Sequence, residues 1–144
     1  MNVPLRKLLS AKLHGLTITG ADLEYEGSLT LPIDLMEAAG IAPYECVQVW
    51  NVSRGTRVET YAIVAPAGSR EVCANGAAAH HIQPGDRVIV ATFAYLPAHA
   101  LAEHCPRLVF IDEDNRIKHL GPEVAGPQRR SNKRNESDRS GAMH

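Results

Sequence analysis

From about residue 5 to residue 120 the chain alternates short apolar runs with turn residues, which is the rhythm of a compact β-rich domain. Runs rich in β-branched and aromatic residues predict strands over 13–19, 29–31, 46–50, 58–64, 87–93 and 108–111. Two short helices are predicted between them. Residues 32–40 open on proline, carry an acidic first turn and close on glycine; residues 97–104 are Ala-rich. At least six short strands with two or three short helices predict a mainly β fold, a small barrel. No internal repeat of residues is visible. After Gly121 the alternation stops, and the segment PEVAGPQRRSNKRNESDRSGAMH has almost no apolar surface to offset the entropy of ordering it. Residues 1–121 are therefore expected to form one domain, and 122–144 a disordered polar tail.

Composition narrows the function class. A chain of 144 residues, 44% hydrophobic and 22% charged, is ordinary globular protein with one modest core. No apolar run approaches the roughly 18 residues that cross a bilayer, and no apolar signal core follows Arg6 and Lys7, so no membrane association and a cytoplasmic location are expected. Cys46, Cys73 and Cys105 are widely spaced without a C-x-x-C pair, and the seven histidines show no H-x-x-x-H or H-E-x-x-H spacing. No disulfide framework and no metal site are expected. Residues 1–121 hold 10 Lys+Arg against 13 Asp+Glu, and residues 122–144 hold 5 against 3. With aromatics at 5%, such a body offers neither a basic footprint nor stacking platforms, which argues against a nucleic-acid partner.

The first candidate for chemistry is Gly27-Ser28. A serine hydroxyl can attack the carbonyl of the residue before it, and glycine leaves that carbonyl unshielded. The peptide becomes an ester; elimination then releases the upstream chain, and hydrolysis of the dehydroalanine left behind yields a pyruvoyl group. Alone the dipeptide reads as an ordinary turn, and Gly68-Ser69 repeats it in this chain. Other candidates also have plain alternatives. Arg57 and Tyr61 share one strand face by alternation, but an exposed strand edge would look the same. Lys12 could be a surface lysine, His14 a satisfied histidine, and Trp50 a core residue. Asn75-Gly76 reads as a tight turn, and Ala77-Ala78-Ala79 either as small core residues or as a stretch whose backbone N–H groups can approach a small ligand.

The surrounding motifs change the weight of these candidates. Lys12-Leu13-His14, residues 21–28 (ADLEYEGS), residues 57–61 (RVETY), residues 75–80 (NGAAAH) and Pro84-Gly85-Asp86 stand in the order and spacing of the aspartate 1-decarboxylase family. Trp50-Asn51-Val52 and the IDEDN segment at 111–115 extend the resemblance over nearly the whole body. The resemblance implies a double-psi β-barrel, self-cleaved into 1–27 and 28–144, assembled as a homotetramer with active sites between subunits. It implies a covalent pyruvoyl cofactor made from Ser28, L-aspartate as substrate, β-alanine and carbon dioxide as products for pantothenate and coenzyme A synthesis, and a possible maturation factor. Tyr61 would be the proton donor. Thr60 and the Gly76, Ala77 and Ala78 backbone would hold substrate with Lys12 and Arg57 near its carboxylates, and Asn75, His14, Trp50 and Tyr25 would line the pocket.

The residue types suit that chemistry. A Schiff base between substrate amine and pyruvoyl ketone gives the carbanion left by decarboxylation somewhere to place its charge. A planar guanidinium such as that of Arg57 can grip the remaining carboxylate through two parallel hydrogen bonds. A tyrosine hydroxyl within reach can reprotonate the carbon. One departure stands out: Gly15 follows His14 where relatives often have arginine, which removes a cation from that strand. Two other readings compete. One is an unprocessed barrel that binds a small acidic metabolite without turnover; the other is an interaction protein acting through Arg129, Arg130, Lys133, Arg134 and Arg139.

Overall fold

The computed structural model describes residues 3–122. In chain order the strands are β1 (Leu5–Thr17), β2 (Gly20–Asp22), β3 (Ser28–Pro32), β4 (Cys46–Asn51), β5 (Arg57–Ala65), β6 (Cys73–Asn75), β7 (Arg87–Pro97), β8 (Arg107–Ile111) and β9 (Ile117–Leu120). One α-helix, α1 (Ile33–Ala39), follows β3, and 3-10 turns span Gly76–His80 and Ala98–Ala100. Among the described residues these strands form one mixed sheet in the order β2-β6-β3-β5-β4-β7-β1-β8-β9. The fold is mainly β and barrel-like.

The core follows from alternation. Ala11 and Leu13 of β1, Leu29 and Leu31 of β3, Val47 and Val49 of β4, Ala62 of β5, Val88 and Val90 of β7 and Val109 of β8 are buried in one cluster. The helix α1 closes that cluster with Leu35, Met36 and Ala39, packing against β8, β1 and β3. It stops at Gly40, whose φ of 75° lets its N–H and that of Ile41 bond back to Glu37 and Met36.

Each of the six strand predictions overlaps an observed strand; β7 runs on to Pro97, and β1 starts at Leu5 and stops at Thr17, two residues short of the predicted end. β2, β6 and β9 escape the sequence because three or four residues carry too little pattern to show a period. The helix predicted over 97–104 is a correction. Only a single 3-10 turn, Ala98–Ala100, forms there. Leu101 is the one large aliphatic residue after Pro97, so the segment has no apolar stripe to bury and too little length to nucleate a helix. Asn75-Gly76 does not make a hairpin either: the chain passes from β6 into the 3-10 turn of Gly76–His80. No helix among the described residues is long and apolar enough to cross a membrane. The expectation for 122–144 falls, apart from Pro122, outside the described residues.

Two of the motifs are explained by buried polar groups. The Asp86 carboxylate accepts hydrogen bonds from Asn51 Nδ2 (2.8 Å), Arg54 Nε (2.8 Å) and the Gln83 N–H (2.9 Å), tying the PGD turn to the WNV strand end. Asn51 Nδ2 also donates to the His81 carbonyl, which pins the end of the 3-10 turn. Burial alone pushes the Asp86 carboxyl up; the donors from Asn51, Gln83 and Arg54 outweigh it and hold the carboxyl below its ordinary value. In the IDEDN segment, buried Asn115 takes a φ of 58° and bridges Thr17 to Arg70, receiving the Thr17 N–H and donating to both carbonyls.

Candidate active site

Strand register sorts the candidates by face. Leu29 pairs with Ala62 and Ala74 across β3, β5 and β6, and all three point into the core. The alternate positions point the other way. Ser28 stands opposite Asn75, Thr30 opposite Cys73, Cys46 opposite Tyr61, and Trp50 opposite Arg57. Further along, Trp50 pairs with Ile89, which pairs with His14, and Gln48 pairs with Ala91, which pairs with Lys12. Lys12, His14, Trp50, Arg57, Tyr61, Ser28 and Asn75 therefore lie on the outward face of one sheet. Thr60 pairs with Val47 and so occupies the opposite face of β5 from Tyr61.

At one end of that face the geometry is close. Ser28 opens β3 and is only 1% exposed. Its Oγ accepts a hydrogen bond from Asn75 Nδ2 at 2.9 Å, and the second Asn75 N–H reaches Thr30 Oγ1 at 3.1 Å. The Ser28 hydroxyl faces the Glu26 carbonyl at 3.5 Å. Gly76, with φ of 66°, presses its backbone against Gly27, the residue before Ser28. A Cβ on it would lie 2.7 Å from Gly27 Cα, 2.8 Å from Gly27 N and 2.9 Å from the Tyr25 carbonyl oxygen. No side chain fits between these two backbones. Gly27 is open on its other side, with nothing within 4 Å of where a Cβ would stand. Ala77 and Ala78 follow in the 3-10 turn, Ala77 exposed and Ala78 half-buried.

A cavity of about 380 Å³ opens beside Ser28, lined by Tyr25, Glu26, Ser28, Pro43, Tyr44, Tyr61, Ile63 and Val64. Three of the candidates, Tyr25, Ser28 and Tyr61, share it. Lys12, His14, Trp50 and Arg57 are not among its walls. Arg57 lies four residues along β5 from Tyr61, about 13 Å away, and stacks its guanidinium over the Trp50 ring at 4.8 Å. Lys12 lies three strands from β5, about 14 Å across the sheet, and His14 stacks against Phe110. One chain thus holds the candidates as two groups: a Ser28 cluster and a band of cations and rings.

Two residues were missed by the sequence reading. Tyr44 projects at the cavity with 77% exposure and a φ of 68°, a conformation a bulky residue rarely adopts. Nothing in the sequence marked it. Cys73 lies two residues before Asn75, so alternation alone would have put it on the same face. The missing cation at Gly15 also finds an account. Gly15 sits in a β-bulge at φ of 94°, and Arg87 Nη2 lies 3.0 Å from where its Cβ would be, so a guanidinium from β7 stands beside that position. Among the described residues no group of three or more His, Cys, Asp or Glu could hold a metal ion.

Comparison with known proteins bears on the arrangement as a whole. The family model described as aspartate decarboxylase matches residues 4–118, which takes in every candidate above. An aspartate 1-decarboxylase of Rhodopirellula baltica is 57% identical over 131 residues, covering 91% of this chain and 84% of the relative. One from Legionella pneumophila (strain Lens) is 50% identical over 121 residues, covering 84% and 91%. One from Thioalkalivibrio sulfidiphilus is 51% identical over 120 residues, covering 83% and 95%. A match of this extent and identity, over nearly the whole described body, shows that the chain belongs to the aspartate decarboxylase family.

Proposed function

We propose that this protein cuts its own chain between Gly27 and Ser28, gains a pyruvoyl group at the former Ser28, and then converts L-aspartate to β-alanine and carbon dioxide for pantothenate and coenzyme A synthesis. The observation that carries the reading is the Ser28 hydroxyl. It is buried, receives an N–H from Asn75, and directly follows Gly27, whose Cα and N are packed so closely by position 76 that only a glycine fits there. In the cut, Ser28 Oγ bonds to the Gly27 carbonyl carbon, the Gly27–Ser28 C–N bond breaks, and the hydroxyl proton passes to the released nitrogen. Loss of the α-proton with cleavage of the ester C–O bond frees Gly27 as a carboxylate; tautomerisation and addition of water then expel ammonia and leave the ketone. No outside oxidant is needed. The ketone supplies the electron sink for the charge left when carbon dioxide departs.

The chain's own residues supply the rest. Tyr61, on the wall of the Ser28 cavity, is assigned as the proton donor to the α-carbon. By the family resemblance Thr60, although its side chain lies on the opposite face of β5 from Tyr61, and the backbone of Gly76, Ala77 and Ala78 are assigned to hold substrate, and Arg57 to grip its distal carboxylate with Lys12 beside it. Asn75, His14, Trp50 and Tyr25 line the site. Because Lys12 and His14 lie three strands from Tyr61, the two groups meet when the outward faces of neighbouring subunits come together. That separation supports sites shared between subunits; the homotetramer, the cytoplasmic location and a maturation factor as an optional aid to the cut are carried over from the family resemblance.

Intact mass under denaturing conditions tests the reading. Wild-type protein is expected to separate into residues 1–27 and a chain starting at position 28, Ser28→Ala to remain one chain of 15.6 kDa, and cut protein to make β-alanine from L-aspartate. Wild-type protein that stays whole after long incubation, with and without cell extract, defeats self-processing. Aspartate bound without β-alanine would instead establish the unprocessed metabolite binder.

A further inference from the structure

Asn75 is the group that touches the Ser28 hydroxyl, and an amide can present either of its ends. With its NH2 toward Ser28 and Thr30 it donates to both hydroxyls; turned over, its oxygen would accept from the same two hydroxyls. The two orientations are close to balanced on that side, since a hydroxyl can donate or accept. The other side breaks the balance. Cys73, half-buried and two residues back on β6, places its Sγ 3.2 Å from Asn75 Oδ1. A thiol donates to a carbonyl oxygen but is a poor acceptor for an N–H.

We infer that Cys73 is a positioning residue for self-cleavage: its S–H fixes the Asn75 amide so that the NH2 faces Ser28 Oγ. The inference deepens the self-processing reading above and rests on it. In this orientation Ser28 Oγ is an acceptor, and its own proton is left for the Glu26 carbonyl side. As Oγ gives up that proton on its way to the Gly27 carbonyl carbon, the negative charge it carries before the new bond forms meets a donor already in place. In the other orientation the Ser28 proton is held by the amide oxygen, and no donor faces the nucleophile. Burial, with Glu71 and Asp22 nearby, pushes the Cys73 thiol above its ordinary value, so at neutral pH it keeps the proton it donates. Gly20 packs against the sulfur, with Sγ 3.3 Å from where its Cβ would be, which leaves the thiol little room to swing away.

The test compares pairs of variants alike in shape and different in donor. In the full chain, Cys73→Ala is expected to slow the appearance of the 1–27 fragment about tenfold, the factor one neutral hydrogen bond carries. Cys73→Ser, of nearly the same volume with a hydroxyl donor, is expected to cut at close to the wild-type rate. Cys73→Val and Cys73→Thr repeat the comparison with matched branched side chains and decide the matter if the smaller pair does not fold. The thermal midpoint of each uncut chain, blocked by Ser28→Ala, separates loss of fold from loss of cleavage. A purely structural role would slow both members of a pair alike, and that result, or an unimpaired Cys73→Ala, overturns the inference. If wild-type protein itself stays whole, the self-processing reading fails instead; if it cuts while every Cys73 variant cuts equally fast, only the role of Cys73 is lost.

Discussion

Replacing Gly76 with alanine perturbs the uncut site through one methyl group, and its effect can be worked from the coordinates. At φ of 66° an L-residue carries a backbone cost of about 1–2 kcal/mol that glycine escapes. The methyl would also stand 2.7 Å from Gly27 Cα and 2.8 Å from Gly27 N. Carbons rest about 3.5–4.0 Å apart, so the two backbones must separate by about 1 Å. That movement falls on Gly27, whose carbonyl carbon Ser28 Oγ must reach, and a displacement of about 1 Å at a reacting centre can cost about a hundredfold in rate. Gly76→Ala is therefore expected to cut about a hundredfold more slowly than wild type, followed by intact mass over a time course. Gly68→Ala is the control: its φ of 83° imposes comparable backbone strain, but nothing lies within 4 Å of the added methyl. It should lose a few degrees of thermal stability and cut normally. If Gly76→Ala cuts at the wild-type rate, or if the Gly68 control slows as much, then close packing of Gly76 on Gly27 does not govern the reaction.

Arg57→Gln is expected to leave the cut intact while lowering kcat/KM for L-aspartate by about 10- to 150-fold, the range for a hydrogen bond to a charged group; unchanged kinetics in fully cut protein would remove Arg57 from substrate binding. Asp86 predicts a pH dependence of stability. Its carboxyl is held below the ordinary value in the folded state, so its contribution is complete above the unfolded value of about 3.9 and is lost as pH falls through the lower folded value. Acid denaturation should accordingly steepen below about pH 4, and Asp86→Asn should flatten that slope in a melting series; an unaltered slope would show that other carboxylates dominate.

What the sequence determined by itself is local. Apolar runs with β-branched residues located β3, β4, β5, β7 and β8, because alternation of side chains is a property of each segment alone. The same alternation put Arg57 and Tyr61 on one face. The proline start and glycine stop of α1 were legible for a like reason: capping is decided within a few residues. The Gly27-Ser28 pair and its neighbouring motifs pointed to the site by resemblance. Only the tertiary structure decided who stands beside whom. β6 is three residues long and carries no readable period, yet its pairing with β3 is what sets Asn75 opposite Ser28, 47 positions away in the chain, and Cys73 opposite Thr30. The pressure of Gly76 on Gly27, the place of Tyr44 at the cavity and the separation of Lys12 from Tyr61 arise in the same way. Register between distant segments is set by the whole sheet packing over one core, and no window of sequence contains that information.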